Sequence, residues 1–409
     1  MNIIQPDTYC WDPRYMEQPY SLAVERHGLL CISGLTAEVY DIHRDSYIVD
    51  STSLVKQTKV IFEKMEAILS SAGYTFQDVV YTVDYAVEAA MPEYRASGDV
   101  RRQAFGNSMP ASTGVLVDGI PDSAGLIMIN AVAMQGGRDK RVVFPEGTPT
   151  WERYRDKTYW PGFFVGDDWF WLSGATGRVY NPDTKKEQYP YGITAQAEAI
   201  WNNTLGQVMK DALIKSSRTV RICNYVHPAG VADYPETHTL SREFVGNNAI
   251  ATTSFAVHRL LHRDALLEID ATCYLGKDRE VIDIPEWNIA DSRLTSAVGV
   301  RCGKYLFCSA QGPVDHETGN IVGLGDLRKQ AIQTYKNILK VLEAAGGSAR
   351  DVVRTIEFTN PQNAHQWHIL DQTRRDIIGR KLPAVTRITT NQLLQPKTAF
   401  GMEIWAILE

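Results

Sequence analysis

The sequence predicts an α+β protein made of three tandem copies of one unit of about 130 residues, and three observations carry that prediction. Short apolar segments ending in a small-residue turn recur at Leu29 to Gly34, Phe170 to Gly174 and Tyr305 to Ala310, which sets Ser33, Ser173 and Ser309 at nearly equal intervals. A second strand-like segment follows each serine at an offset constant to within one residue, reaching Asn130, Asp270 and Trp405. Between these anchors the same order of helix and strand signals repeats. The units are bounded at 1–135, 159–276 and 293–409, and the charged, proline-containing stretches 136–158 and 277–292 link them.

Each unit opens on its anchor strand, and a helix follows. In the third unit Ala331, Tyr335, Ile338 and Leu342, with Ile332 and Leu339, make the i, i+4, i+7 stripe of an amphipathic helix that stops at Ala345-Gly346-Gly347. The matching helices are expected over 54–71, stopped near Gly73, and over 194–213. Runs rich in β-branched and aromatic residues predict strands at 79–85, 219–225 and 352–358. A second helix ends in related tails, Arg102 to Gly106, Arg242 to Gly246 and Arg375 to Gly379. Four residues beyond each glycine, Pro110, Ile250 and Pro383 open the next strand, and the segment at Asn130, Asp270 or Trp405 closes the unit. A mixed sheet with helices on one face leaves the other face to be covered. Three such sheets can cover one another by closing around a pseudo-threefold axis, with the helices outside.

The composition, 44% hydrophobic and 22% charged over 409 residues, is that of a globular chain of several domains. Its 42 basic and 48 acidic side chains are interspersed and sum to −6, so there is no basic field for a phosphate backbone and nucleic acid is not expected as a partner. Met1 to Pro13 has neither a basic nor an apolar leader region, and no run approaches the ~18 apolar residues of a membrane span, so a cytoplasmic location away from membranes is expected. Cys10, Cys31, Cys223, Cys273, Cys302 and Cys308 form no CxxC pair and read as reduced thiols. The histidines are scattered without HExxH or paired Cys/His spacing, there is no GxSxG elbow or P-loop, and Gly323-Leu324-Gly325 lacks the third glycine of a dinucleotide fingerprint. No metal and no cofactor are expected.

Pro19-Tyr20-Ser21, Ser33-Gly34, Asp78-Val79-Val80 and Pro110-Ala111, with Asp351-Val352-Val353 and Pro383-Ala384 in the third unit, resemble the PYS, SG, DVV and PAR motifs of the RidA (YjgF) family, formerly named endoribonuclease L-PSP. The second unit departs furthest from that pattern. The resemblance implies three domains of chorismate-mutase-like α+β fold, which single members of the family assemble as homotrimers. Here it implies an intramolecular pseudo-trimer with a central closed β structure, helices outside and three interdomain clefts, with further dimerisation left open. It also implies deaminase-type hydrolysis of imines or enamines without a cofactor. In that chemistry the PAR arginine pairs with a substrate carboxylate through its two-pronged guanidinium. A glutamate on the last strand orients water, and the SG turn and the PYS tyrosine line the pocket.

Carried onto this chain, the arginine position holds Ser112, Thr252 and Val385, and the glutamate position holds Asn130, Asp270 and Trp405. Arg387 lies two residues past Val385 and therefore on the same strand face, where it either receives an anionic group or makes a strand-end ion pair. Glu403 shares the face of Trp405 by the same rule. Asp270 is either a water-orienting carboxylate or a hydrogen-bonded structural acid. Tyr20, upstream of Ser33, is either a pocket wall or interface packing, and its offset from that serine leads to Trp160 and Ser296 in the other units. The catalytic candidates are Asp270, Glu403 and Tyr20. The substrate-binding candidates are Arg387, Ser33, Gly34, Ser112, Asn130, Trp160, Ser173, Gly174, Thr252, Ser309 and Trp405. Asp84, Asn224 and Glu357 recur at one point of the third strand and read as a structural hydrogen-bond network. The expected function is hydrolysis or elimination at a C–N or C–O bond of a small anionic metabolite. The alternative is a non-catalytic ligand-binding or scaffold protein that has kept the trimeric shape.

Overall fold

The structure is a computed structural model and describes residues 1–6, 18–121, 124–145, 157–246, 248–287, 296–391 and 393–409. Cys10 and the linker residues 146–156 and 288–292 lie outside the described residues. Three mixed sheets form its frame, and each repeat builds one of them in the same order. In the first sheet Ala23–Arg26, Leu29–Leu35, Ile127–Met134, Val79–Ala86 and Ala111–Leu116 lie side by side. The second orders Gly162–Val165, Trp169–Thr176, Leu267–Tyr274, Thr219–Val226 and Ile250–Ala256. The third orders Gly299–Cys302, Tyr305–Cys308, Phe400–Ile407, Val352–Thr359 and Ala384–Thr389. The last two strands of each set are parallel, because a helix crosses over between them.

The first helices of the outer repeats, Leu54–Ser71 and Leu327–Ala344, start at Ser53 and Asp326, whose side chains accept hydrogen bonds from the backbone N–H of Lys56 and Lys329. The second repeat departs from expectation. In place of one helix over 194–213 it has Ile193–Ala199, a π-helical turn at Ile200–Thr204, and Leu205–Asp211. A Cβ on Gly206 would overlap the Trp201 carbonyl oxygen, so a glycine is what lets the backbone pass there. The second helices, Ser97–Phe105, Thr237–Val245 and Trp367–Ile378, end on Gly106, Gly246 and Gly379 at φ +56°, +65° and +89°, a conformation that favours glycine.

Each sheet packs its helices over a core of its own, around Phe62 and Ile68, Trp201 and Met209, or Tyr335 and Leu342. A fourth core, holding Tyr81, Trp171, Tyr225 and Trp405, lies where the three sheets meet. Strands such as Val79–Ala86, Thr219–Val226 and Val352–Thr359 are consequently buried at every position instead of alternating.

The repeats also join edge to edge. Trp160 N donates to Pro110 O at 3.2 Å, Ser296–Ala297 pairs in parallel with Ile250–Ala251, and Ser21 N donates to Pro383 O at 3.0 Å. The turn serines repeat a second link, with Ser173, Ser309 and Ser33 Oγ accepting the backbone N–H of Ser112, Thr252 and Val385 at 2.9, 2.8 and 2.8 Å.

Strand pairing corrects one expectation. Val83 faces Asn130, Cys223 faces Asp270 and Ile356 faces Glu403, so the third-repeat counterpart of Asn130 and Asp270 is Glu403 and not Trp405. The third repeat is three residues shorter between Ser309 and Glu357, whereas the interval from Asp84 to Asn130 equals those from Asn224 to Asp270 and from Glu357 to Glu403. A slip of two residues leaves every side chain on its own face, so hydrophobic alternation does not reveal it.

Candidate functional site

Asn130, Asp270 and Glu403 form one layer of the central core, each at most 1% exposed. Each meets a threonine of another repeat. Asn130 Nδ2 donates to Thr386 Oγ1 at 3.1 Å, Thr113 Oγ1 donates to Asp270 at 3.4 Å, and Thr253 hydrogen-bonds Glu403. Asp270 also accepts from Arg221 at 2.7 Å and from the Tyr81 and Tyr225 hydroxyls at 2.8 Å each. Glu403 accepts from Arg354 at 3.2 Å, from Arg221 at 3.4 Å and from Trp405 Nε1 at 2.7 Å. Burial alone would raise the Glu403 pKa, but Arg221 and Arg354 outweigh it and hold the carboxyl below the usual glutamate range.

Asp270, Glu403, Asn130 and Trp405 therefore face the central core and not a cleft. The Trp405 indole lies under the guanidinium groups of Arg354 at 4.5 Å and Arg221 at 5.2 Å. A strand covered on both faces turns these residues toward the other sheets, where each charge finds a partner.

Beside the parallel strand pairs, Asp84, Asn224 and Glu357 hold equivalent positions, opposite Gly114, Ser254 and Arg387. In the first repeat Asp84 pairs with Arg101 and accepts from the Tyr94 hydroxyl at 3.1 Å. In the third, Glu357 accepts from Arg374 Nε at 2.8 Å and Nη2 at 2.5 Å. Arg387 pairs there with Asp371 and lies over the rings of Tyr20 at 5.1 Å and Trp367 at 5.5 Å, while Arg374 also donates to Pro19 O at 2.6 Å. Tyr20 and Arg387 are thus brought together as packing partners, and burial raises the Tyr20 pKa. The cavities described beside Tyr20 and beside Ser173 and Gly174 are small, about 70 Å³ and about 10 Å³.

The second repeat replaces both members of that ion pair, with Asn224 at the acid and Ser241 at the arginine. A cavity of about 700 Å³ lies there, between the second and third repeats. Asn224 Nδ2 donates to Ser254 Oγ at 3.0 Å, the Tyr234 hydroxyl hydrogen-bonds the same oxygen at 2.8 Å, and His238 packs edge-on against the Tyr234 ring at 5.1 Å. On the opposite wall His316 Nε2 hydrogen-bonds Gln311 Oε1 at 3.1 Å and the imidazole stacks on Trp287 at 4.0 Å. Burial lowers the His316 pKa, so this ring is neutral at pH 7.

Of the residues singled out in the sequence, Thr252 and Ser309, with Ser296 and Asn224, line this cavity. Ser112, Trp160, Ser173 and Gly174 gather at the junction of the first and second repeats. Tyr20, Ser33, Gly34 and Arg387 gather at the junction of the first and third. The turn-serine hydroxyls are held by backbone, since Ser33 donates to Ser21 O and Ser173 to Trp160 O at 2.6 Å each, and Ser309 to Ala297 O at 2.5 Å. A Cβ on Gly34 would press on Met128, and one on Gly174 on Glu268, which makes both glycines points of close approach. Sequence reasoning missed Tyr234, His238, Ser241, Ser254 and His316, and read Asn224 as structural. The signal available was the neutral pair Asn224 and Ser241, aligned with Asp84 and Arg101 and with Glu357 and Arg374. Among the described residues no group of three or more His, Cys, Asp or Glu is placed to hold a metal ion, and no helix is long and apolar enough to cross a membrane.

A solved chorismatase structure shares the fold with a TM-score of 0.51 at 13% identity, covering 81% of this chain and 93% of its own. A RutC family protein from Pyrococcus horikoshii is 32% identical over 108 residues, 26% of this chain and 81% of its own length. A protein named 2-iminobutanoate/2-iminopropanoate deaminase from Salmonella typhimurium is 37% identical over 65 residues, 16% of this chain and 49% of its own. The sequence pattern of the family described as Endoribonuclease L-PSP matches residues 13–135 and 291–408, the first and third repeats. The second repeat, which supplies the neutral wall of the cavity, lies between them. With more than half of its length matched, the chain belongs to the Endoribonuclease L-PSP family.

Proposed function

We propose that the protein is a cofactor-independent enzyme of hydrolytic type, an intramolecular pseudo-trimer with one working cleft between its second and third repeats. One observation carries this reading. Two of three equivalent positions are filled by an ion pair of the protein's own, and the third is neutral and opens on about 700 Å³. That volume is in the ordinary range for small-molecule sites, roughly 300–1,000 Å³. The edge contacts between repeats, each made in turn by the second on the first, the third on the second and the first on the third, support the closed arrangement.

Hydrolysis at a C–N bond needs an acceptor for a proton of water and donors to orient the substrate. His316, neutral at pH 7, can accept a proton, and the linked Asn224, Ser254 and Tyr234 can orient a polar group. The imine chemistry named for the Salmonella relative is carried over here only as a class of reaction. Thr252 stands where the family arginine is expected, so the substrate is held differently. A second reading, a ligand-binding protein without turnover, draws support from the cavity's described lining, which includes no carboxylate.

The double variant Asn224→Glu/Ser241→Arg tests the proposal by rebuilding the ion pair of the other repeats. The variant is expected to fold with an unchanged Tm and to lose the small molecule that the wild type retains from a cell extract, read by native mass spectrometry. Conversion of that molecule over time separates enzyme from binder. A variant that retains the same molecule as the wild type would place the site elsewhere.

A further inference from the structure

We infer that the cleft between the second and third repeats takes an uncharged ligand with an amide-like edge, such as an amide, a lactam or a neutral heterocycle, and rejects carboxylates. The inference rests on this cleft being the binding site. It starts from what the other repeats place at the same positions. The acid and arginine, Asp84 with Arg101 and Glu357 with Arg374, become Asn224 and Ser241. Arg387 becomes Ser254 and its partner Asp371 becomes His238, each at an unchanged spacing from the strand position. Every carboxylate and guanidinium at these positions has been exchanged for an amide, a hydroxyl or an imidazole, and none of the described residues lining the cavity is Asp, Glu, Lys or Arg.

A carboxylate entering such a cavity gives up hydration without meeting a cation, a loss that neutral hydrogen bonds do not offset. The imidazole of His316 does not supply the missing charge at neutral pH, because burial favours its uncharged form. An amide has the opposite character. It donates and accepts at once, and the chain of Asn224, Ser254 and Tyr234, linked at 3.0 and 2.8 Å, is made of groups that each do both. Phe255, Phe358 and Phe400 add apolar wall for the flat body of such a molecule.

The test uses two probes of one shape, benzamide and benzoate, soaked separately into crystals of the full chain at pH 8 and titrated in solution by NMR. Benzamide is expected in the cleft, with benzoate at least about tenfold weaker there. The variant Ser241→Arg, which adds one guanidinium without its acid, is expected to reverse the preference. Benzoate bound in the wild-type cleft as well as benzamide would overturn the inference and leave the cleft standing as the site. Absence of both probes from the cleft, or benzamide binding that survives Asn224→Glu/Ser241→Arg, would overturn the reading of the cleft and the inference with it.

Discussion

Glu268 is buried two residues from Asp270, and together burial and that neighbouring charge raise its pKa to about 8. The unfolded chain releases this proton near the ordinary value of about 4.5, whereas the folded chain keeps it until about 8. Between those values the native state holds one more proton, so stability falls as pH rises through the window. Glu268→Gln should remove that slope, giving a Tm that exceeds that of the wild type by an amount growing from about pH 5 to about pH 8. Parallel Tm curves for the two proteins would refute the assignment. Arg221 has the converse role, as the closest cation to Asp270 and a second one to Glu403. Arg221→Met leaves Asp270 buried with no cation and only the hydroxyls of Tyr81, Tyr225 and Thr113, and should cost about 3–5 kcal/mol in urea unfolding. At this scale the sequence marks Asp270, Glu403 and Arg387, because ionisable residues stand out in apolar strands. It does not say which way they face, since both faces of these strands are buried and the periodicity that would separate core from cleft is missing.

Strands and helices were legible where periodicity and glycine punctuation are local, as at the tails ending in Gly106, Gly246 and Gly379. Elements that depend on another repeat were not. Arg259–Leu260 is a strand because it pairs with Val115 and Leu116 of the first repeat, and Ser296–Ala297 because it pairs with Ile250 and Ala251. The break in the second repeat's helix was hidden for a different reason, since Trp201 and Leu205 keep an amphipathic spacing through the π-helical turn. Gly206 was the visible clue. Gly206→Ala should destabilise the protein by about 1–3 kcal/mol, because the added methyl meets the Trp201 carbonyl, and the loss should appear in thermal unfolding. An unchanged Tm would mean that the helix can close without the glycine. The register of the last strand shows the same limit, because the constant spacing from Glu357 to Glu403 was readable while the apolar pattern of Ile404 to Ile407 pointed two residues away.

Joining three related units in one chain allows equivalent positions to diverge, which identical subunits of a homotrimer cannot do. The central core uses this freedom, with Asn130, Asp270 and Glu403 in one layer and Tyr81, Arg221 and Arg354 in another, so that two acids meet two arginines. The clefts use it too. Asp84 with Arg101 and Glu357 with Arg374 are buried ion pairs at two of the equivalent positions, and Asn224 with Ser241 lines a cavity of about 700 Å³ at the third. The spacing pointed to three like units and the structure has three large sheets of like strand order, but the cavity at Asn224 was not legible, because it depends on how two substitutions on separate elements meet across a strand and a helix. The measurement that bears most directly on this account is a crystallographic soak with a mixed set of small ring compounds, neutral and charged, mapping which clefts they enter. The account predicts that those entering a cleft gather between the second and third repeats, against Asn224 and Ser254. Equal occupation of the clefts beside Tyr20 or Ser173 would contradict it.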